Sequence, residues 1–148
     1  RLRNGVGLSV VTPWASLASL LLNPMRLTCE AIAKGEAPLT LTGLIDELLS
    51  DRQLRPEGLT IWLALWGEIA VSPALRAEHL HQYDRYHRAI SIAIAAQGAE
   101  QADRLASGLI ALLDGLWVEM CIAPDRMDLP AARKVVEAFL TPYVGTLR

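Results

Sequence analysis

An excess of charge of either sign is missing from this chain. Fourteen Lys and Arg face sixteen Asp and Glu, the formal net charge is -2 and the pI is near 5.9. An autonomous nucleic-acid binder usually carries a basic face and a basic pI, so the bulk charge argues against one. Cysteine is scarce: Cys29 and Cys121 lie far apart and without metal-ligand spacing. A structural disulfide is one reading; two buried free thiols in a reducing cytoplasm are the plainer one. No run is expected to cross a membrane, since the richest, 14–22, is too short. The start lacks the charged, apolar, small-residue progression of a signal peptide. Internal repeats, low-complexity tracts and the alternating pattern of strands are absent as well.

What is present is apolar and helical. The chain has 148 residues, 52% apolar and 20% charged, which suits one globular domain with a real core. Proline and capping residues divide it into helices. Thr12-Pro13 opens a first one over about 13–34, interrupted at Pro24 and stopped by Gly35. A short helix over about 40–49 puts Leu41, Leu44, Ile45 and Leu48 on one stripe. Pro56 opens a third to about residue 70. Ser72-Pro73 opens a fourth that runs to about 97 before Gly98, with Leu75, Leu80, Tyr83, His87, Ile90 and Ile94 inward and Arg76, Glu78, Arg85 and Arg88 outward. A fifth over about 100–122 carries a wide apolar band, with Gly108, Ala111 and Gly115 as a small-residue stripe. Glycine costs helix stability, so those glycines imply close approach of another helix backbone. The last begins at Asp128-Leu129-Pro130 and carries Val135, Val136, Phe139, Leu140, Tyr143, Val144 and Leu147, with Pro142 bending its end. The fold expected is all-α, a bundle of about six helices.

Several constellations are candidates for chemistry. Trp62 and Trp66, one turn apart, share a face. With Tyr83 and Trp117 they could line a small-molecule pocket, where aromatic faces attract cations and Asp114 or Glu68 supplies the counter-charge. The competing reading is ordinary core, with Asp114 hydrogen-bonded to a neighbouring helix or at a subunit seam. His79, His81, Asp84 and His87 are close in sequence, but His81 and Asp84 make only a pair on one face, so a solvated face is expected and no metal site. Glu68 and Asp114 as an acid–base pair have no nucleophile motif, phosphate loop or metal-ligand motif beside them, so no enzyme and no cofactor are expected.

The run RPEGLTIWLALWGEIAVSPALRAEH, over 55–79, resembles the regulatory domain of TetR-family transcription repressors, in particular the BetI-like branch. The matching residues are Pro56, Glu57, Trp62, Leu63, Ala64, Leu65, Trp66, Ser72, Pro73, Ala74 and Leu75. LASGLIALLDGLWVEM, over 105–120, resembles the penultimate helix of that family through Leu112, Leu113, Asp114, Gly115, Leu116 and Trp117. DLPAARKVVEAFL, over 128–140, resembles its final helix. VVTPWASLASLL, over 10–21, is similar to the junction below the DNA-binding head, with Trp14, Ser16, Leu20 and Leu21 in register. Leu17 and Ala18 stand where that junction has lysine and an acid.

The resemblance implies a ligand-sensing and dimerising domain over 13–148, with 1–12 a remnant or junction of the head and no complete helix-turn-helix. It implies a homodimer in the cytoplasm, touching DNA only through a head this chain does not contain, and an effector of cationic or apolar character; regulators of this branch resemble choline-responsive systems. Expected dimer residues are Leu105, Gly108, Leu109, Leu112, Gly115, Leu116, Val136, Phe139, Leu140 and Tyr143. Two rival readings remain: a headless dimerisation module with no ligand, and a helical-bundle enzyme.

Overall fold

The computed structural model describes residues 40–51 and 56–147, with the side chains of Pro56 and Glu57 left out. Five helices lie there: α1 (Leu41–Leu48), α2 (Pro56–Val71), α3 (Pro73–Ala95), α4 (Ala102–Ile122) and α5 (Leu129–Val144). Among the described residues there is no strand. The first expected helix, over 13–34, and the expected head junction over 1–12 fall outside the described residues.

Local chemistry sets the helix starts. Thr40 Oγ1 accepts from Gly43 N–H at 3.0 Å, and Asp128 Oδ1 accepts from Ala131 N–H at 2.8 Å. Each occupies one of the donors that a helix start leaves without a backbone partner. Ser72 caps α3 more loosely, at 3.4 Å to Leu75 N–H, and Pro73 follows it at the first helical position. Gly98, with φ +85°, occupies the turn between α3 and α4, a conformation that L side chains rarely adopt. α5 continues through Pro142 to Val144.

α4 is the central helix. It packs on α2, α3 and α5, most extensively on α3, while α1 packs on α3. Leu105, Ala106, Leu109, Ile110, Leu113, Leu116 and Trp117 are its buried side chains, meeting Ala132, Val136 and Leu140 of α5 and Ile90 and Ile94 of α3 in one core. By length and hydropathy alone α4 could cross a membrane, which corrects the expectation that no stretch reaches that threshold. Yet Asp103, Arg104, Asp114 and Glu119 lie along it, and it packs on α2, α3 and α5 with seven of its side chains in the core.

Three further expectations need correcting. Leu80 is not inward but 52% exposed; it shares the outward stripe of Asp84 and Ser91, at spacings of four and seven. The core line of α3 runs instead through Tyr86, Ala89, Ile90, Ala93 and Ile94. On α5, Val135 and Tyr143 are exposed. Finally, five of the ten expected dimer residues, Leu105, Leu109, Leu116, Val136 and Leu140, are sealed in the subunit's own core. Their apolar band is wider than one contact requires. Periodicity showed that the band is buried, but not which neighbour buries it.

Candidate functional site

One turn of α2 supplies Trp62 and Trp66, whose ring centroids lie 6.2 Å apart at 49°. The i,i+4 spacing that stacks them on one face turns that face towards α3 and α4. α3 supplies His79, Gln82, Tyr83 and Tyr86, and α4 supplies Ile110, Asp114 and Trp117. Together these line a cavity of about 40 Å³ inside about 430 Å³ of empty space that includes its open mouth. The smaller figure is room for a few waters, on the scale of roughly 10–15 Å³ for the centre of one.

Its electrostatics are dominated by one carboxyl. Burial pushes Asp114 from its ordinary 3.8 up to about 6, and among the described residues no ion pair compensates it. Burial also raises the Tyr83 phenol, with the charges of Asp114 and Asp84 adding to the rise, and lowers the His79 imidazole. His79, Tyr83 and His87 form a ladder along α3, with centroids 6.0 and 6.2 Å apart. Gln82 donates from Nε2 to Glu78 at 3.0 Å. The Trp117 indole Nε1 is buried with no hydrogen-bond partner among the described residues, in the same wall.

Of the six residues singled out in the sequence for a ligand, the fold brings five together: Trp62, Trp66, Tyr83, Asp114 and Trp117. Glu68 is not among them; it is exposed on another face of α2 and cannot pair with Asp114 as an acid–base couple. His79, Gln82, Tyr86 and Ile110 were missed. Their signal was present as the 79-82-83-86 and 110-114-117 spacings, which put each set on one helical face. Among the described residues no three His, Cys, Asp or Glu side chains lie close enough to hold a metal ion. Cys121 is a half-buried free thiol, and Cys29 lies outside the described residues.

Of the remaining five expected dimer residues, Gly115 and Tyr143 are exposed, while Gly108, Leu112 and Phe139 are half-buried. Gly108 receives the Phe139 ring so closely that a Cβ there would sit 2.8 Å from Cζ. Phe139 then meets Tyr143 at 6.4 Å. Leu112 is half-buried, and Gly115 opens onto space with nothing within 4 Å of where a Cβ would be.

Comparison with known proteins places this arrangement. The family model described as BetI-type transcriptional repressor, C-terminal, matches residues 40–144. The HTH-type transcriptional regulator BetI of Escherichia coli O45:K1 (strain S88) is 26% identical over 117 residues, 78% of this chain and 60% of its own length. BetI of Escherichia coli strain SE11 matches with the same identity and coverage. The chain thus spans about 60% of the length of these curated relatives. A solved structure described as a candidate transcriptional regulator from Pseudomonas aeruginosa PAO1 superposes with a TM-score of 0.68 at 27% identity, over 84% of this chain and 64% of that one. With the family model matched across all five helices, the chain belongs to the TetR-type transcriptional repressors, and residues 40–144 are a C-terminal domain of the BetI type.

Proposed function

We propose that residues 13–148 form the ligand-sensing and dimerising part of a cytoplasmic repressor, in which a small molecule bound between α2, α3 and α4 relieves DNA binding by the intact protein. The observation that carries this reading is the cavity itself. Three tryptophans and two tyrosines line it beside a carboxyl that burial disfavours in its charged form and that no ion pair among the described residues neutralises. A cation with an apolar body satisfies both: it pairs with Asp114 and lies against ring faces, each such contact being worth roughly 0.5–2 kcal/mol. In a dimeric repressor, filling the cavity shifts the segments leading to the DNA-binding heads, and their separation no longer matches successive major grooves. The segment expected to carry that movement, 13–34, lies outside the described residues.

Dimerisation belongs to the same reading. α4 is long and apolar, yet only 39% of its most apolar stretch is buried within the subunit. A second copy over Gly115, Leu112, Phe139 and Tyr143 would cover the rest. Light scattering at low micromolar concentration should show a dimer, and a monomer alone would remove this half of the proposal.

The test of sensing is thermal melting with tetramethylammonium and a panel of larger amines, acyl compounds and aromatics. A binder raises the melting temperature with concentration, and Trp62→Ala abolishes the rise. One observation favours a second reading, a module that dimerises without a ligand: the cavity is only about 40 Å³, room for a few waters. No shift with any compound would select that reading.

A further inference from the structure

Another hollow lies between α3 and α4 on the outer side of the bundle, about 690 Å³ and open. Its floor is internally bonded. His87 Nε2 lies 2.9 Å from Ser107 Oγ and 3.1 Å from Asp103 O, and Ser91 Oγ donates to Asp103 Oδ1 at 2.5 Å. Since Ser107 Oγ donates to Asp103 O at 3.1 Å, its lone pairs are left to accept from a protonated His87 Nε2. Its rim is not bonded in this way. Asp84, Arg88 and Arg104 line the hollow, all exposed, and none has an ion-pair partner among the described residues.

Two guanidiniums and two carboxylates in one groove exclude partners of single sign. A nucleic acid would meet Asp84 and Asp103, and a polyacid would do the same. A surface that carries both signs is matched by itself. Arg104 also lies on the open stripe of α4, seven residues before Ala111, eleven before Gly115 and eighteen before Ile122, so the groove continues the uncovered apolar face. On the other wall Ile92 is more than half exposed, extending that face onto α3.

We propose that this α3–α4 groove lies at the two-fold axis of the subunit seam, and that Arg88 and Arg104 of one copy meet acidic groups of the same groove in a second copy. The inference rests on the dimer reading above and extends the seam from α4 and α5 to α3. A two-fold interface must be self-complementary, and an Asp84/Arg88 pair one turn apart meets its own antiparallel image in register.

Charge swapping tests it. Arg88→Glu with Arg104→Glu gives one acidic chain, and Asp84→Lys gives one basic chain. All three sites are exposed, so circular dichroism should show both variants folded. Each variant alone is expected to dimerise tenfold or more weakly than the wild type in sedimentation. The defect should shrink in high salt, which screens surface charge. Mixed and mass-tagged, the two should form heterodimers well above the statistical share in native mass spectrometry. A wild-type dimer with variants of equal affinity and statistical mixing overturns this inference and leaves the dimer reading standing. A monomeric wild type overturns both.

Discussion

The two sides of α4 make opposite demands. Towards α2 and α3 it presents Asp114 and Trp117 to an aromatic cavity, where polar groups sit without enough partners. Away from the core it presents Ala111, Gly115 and Ile122, where apolar surface sits without enough cover. In the proposed reading, a small charged molecule would answer the first mismatch and a large apolar surface the second. Under the proposed function, α4 would link pocket and seam mechanically, because a turn of α4 that relaxes one would move the other. That link is what an effector-controlled dimer needs.

The largest test of the contrast concerns the side chains that lie between the two surfaces. Leu109→Ala removes a wholly buried side chain and should cost about 2–5 kcal/mol in urea unfolding. The loss should appear at every protein concentration. If it vanished in dilute protein, Leu109 would belong to the seam after all. Next come the glycines. Gly108→Leu forces a side chain into the Phe139 ring and should destabilise the subunit by roughly 1–3 kcal/mol. Gly115→Leu meets nothing in its own subunit, so it should leave the subunit fold intact and weaken association. Unfolding and sedimentation on both variants separate the two roles; equal behaviour would erase the distinction.

These residues also show what was legible beforehand. Helix starts could be read because Thr40, Ser72 and Asp128 act on their own next turn, and such local bonds depend on little else. The pairing of Trp62 with Trp66, and of Asp114 with Trp117, was readable because each pair shares a helical face, at spacing four and three. Orientation between neighbours was not. Leu109 and Leu112 lie in one apolar band, and only the position of α5 decides that the first is core and the second half-open. Leu80 failed for a similar reason: a long helix with weak amphipathicity gives little indication of which apolar residue its neighbours will leave out.

Asp114 yields a smaller effect with a definite sign. Its carboxyl holds a proton more tightly folded than unfolded, with values of about 6 and 3.8. The unliganded protein is therefore favoured below pH 4 and loses that advantage as the pH rises to about 6, then stays level. The half-buried position screens part of the effect, leaving on the order of 1–2 kcal/mol. Asp114→Asn should flatten this stretch of the stability profile, and an unchanged slope would assign it to other groups. A bound cation reverses the sign, since it needs the carboxylate: affinity should be full above about pH 6 and fall up to tenfold per unit below.

The smallest expected effect separates the cavity from the general field around it. Glu68 lies on the same helix as Trp62 and Trp66, but on a face open to water. Water and salt screen an exposed charge beyond roughly 10 Å at ordinary ionic strength. Glu68→Gln should therefore alter stability by no more than about 0.5 kcal/mol and leave cation affinity unchanged, while Asp114→Asn cuts that affinity by tenfold or more. Calorimetric titration of both variants with one cation at pH 7.5 makes the comparison. Equal losses would mean that the ligand responds to the summed acidity of the surface. A loss at Asp114 alone would mean that it responds to one buried carboxylate, and selectivity would then follow from what the surrounding rings admit.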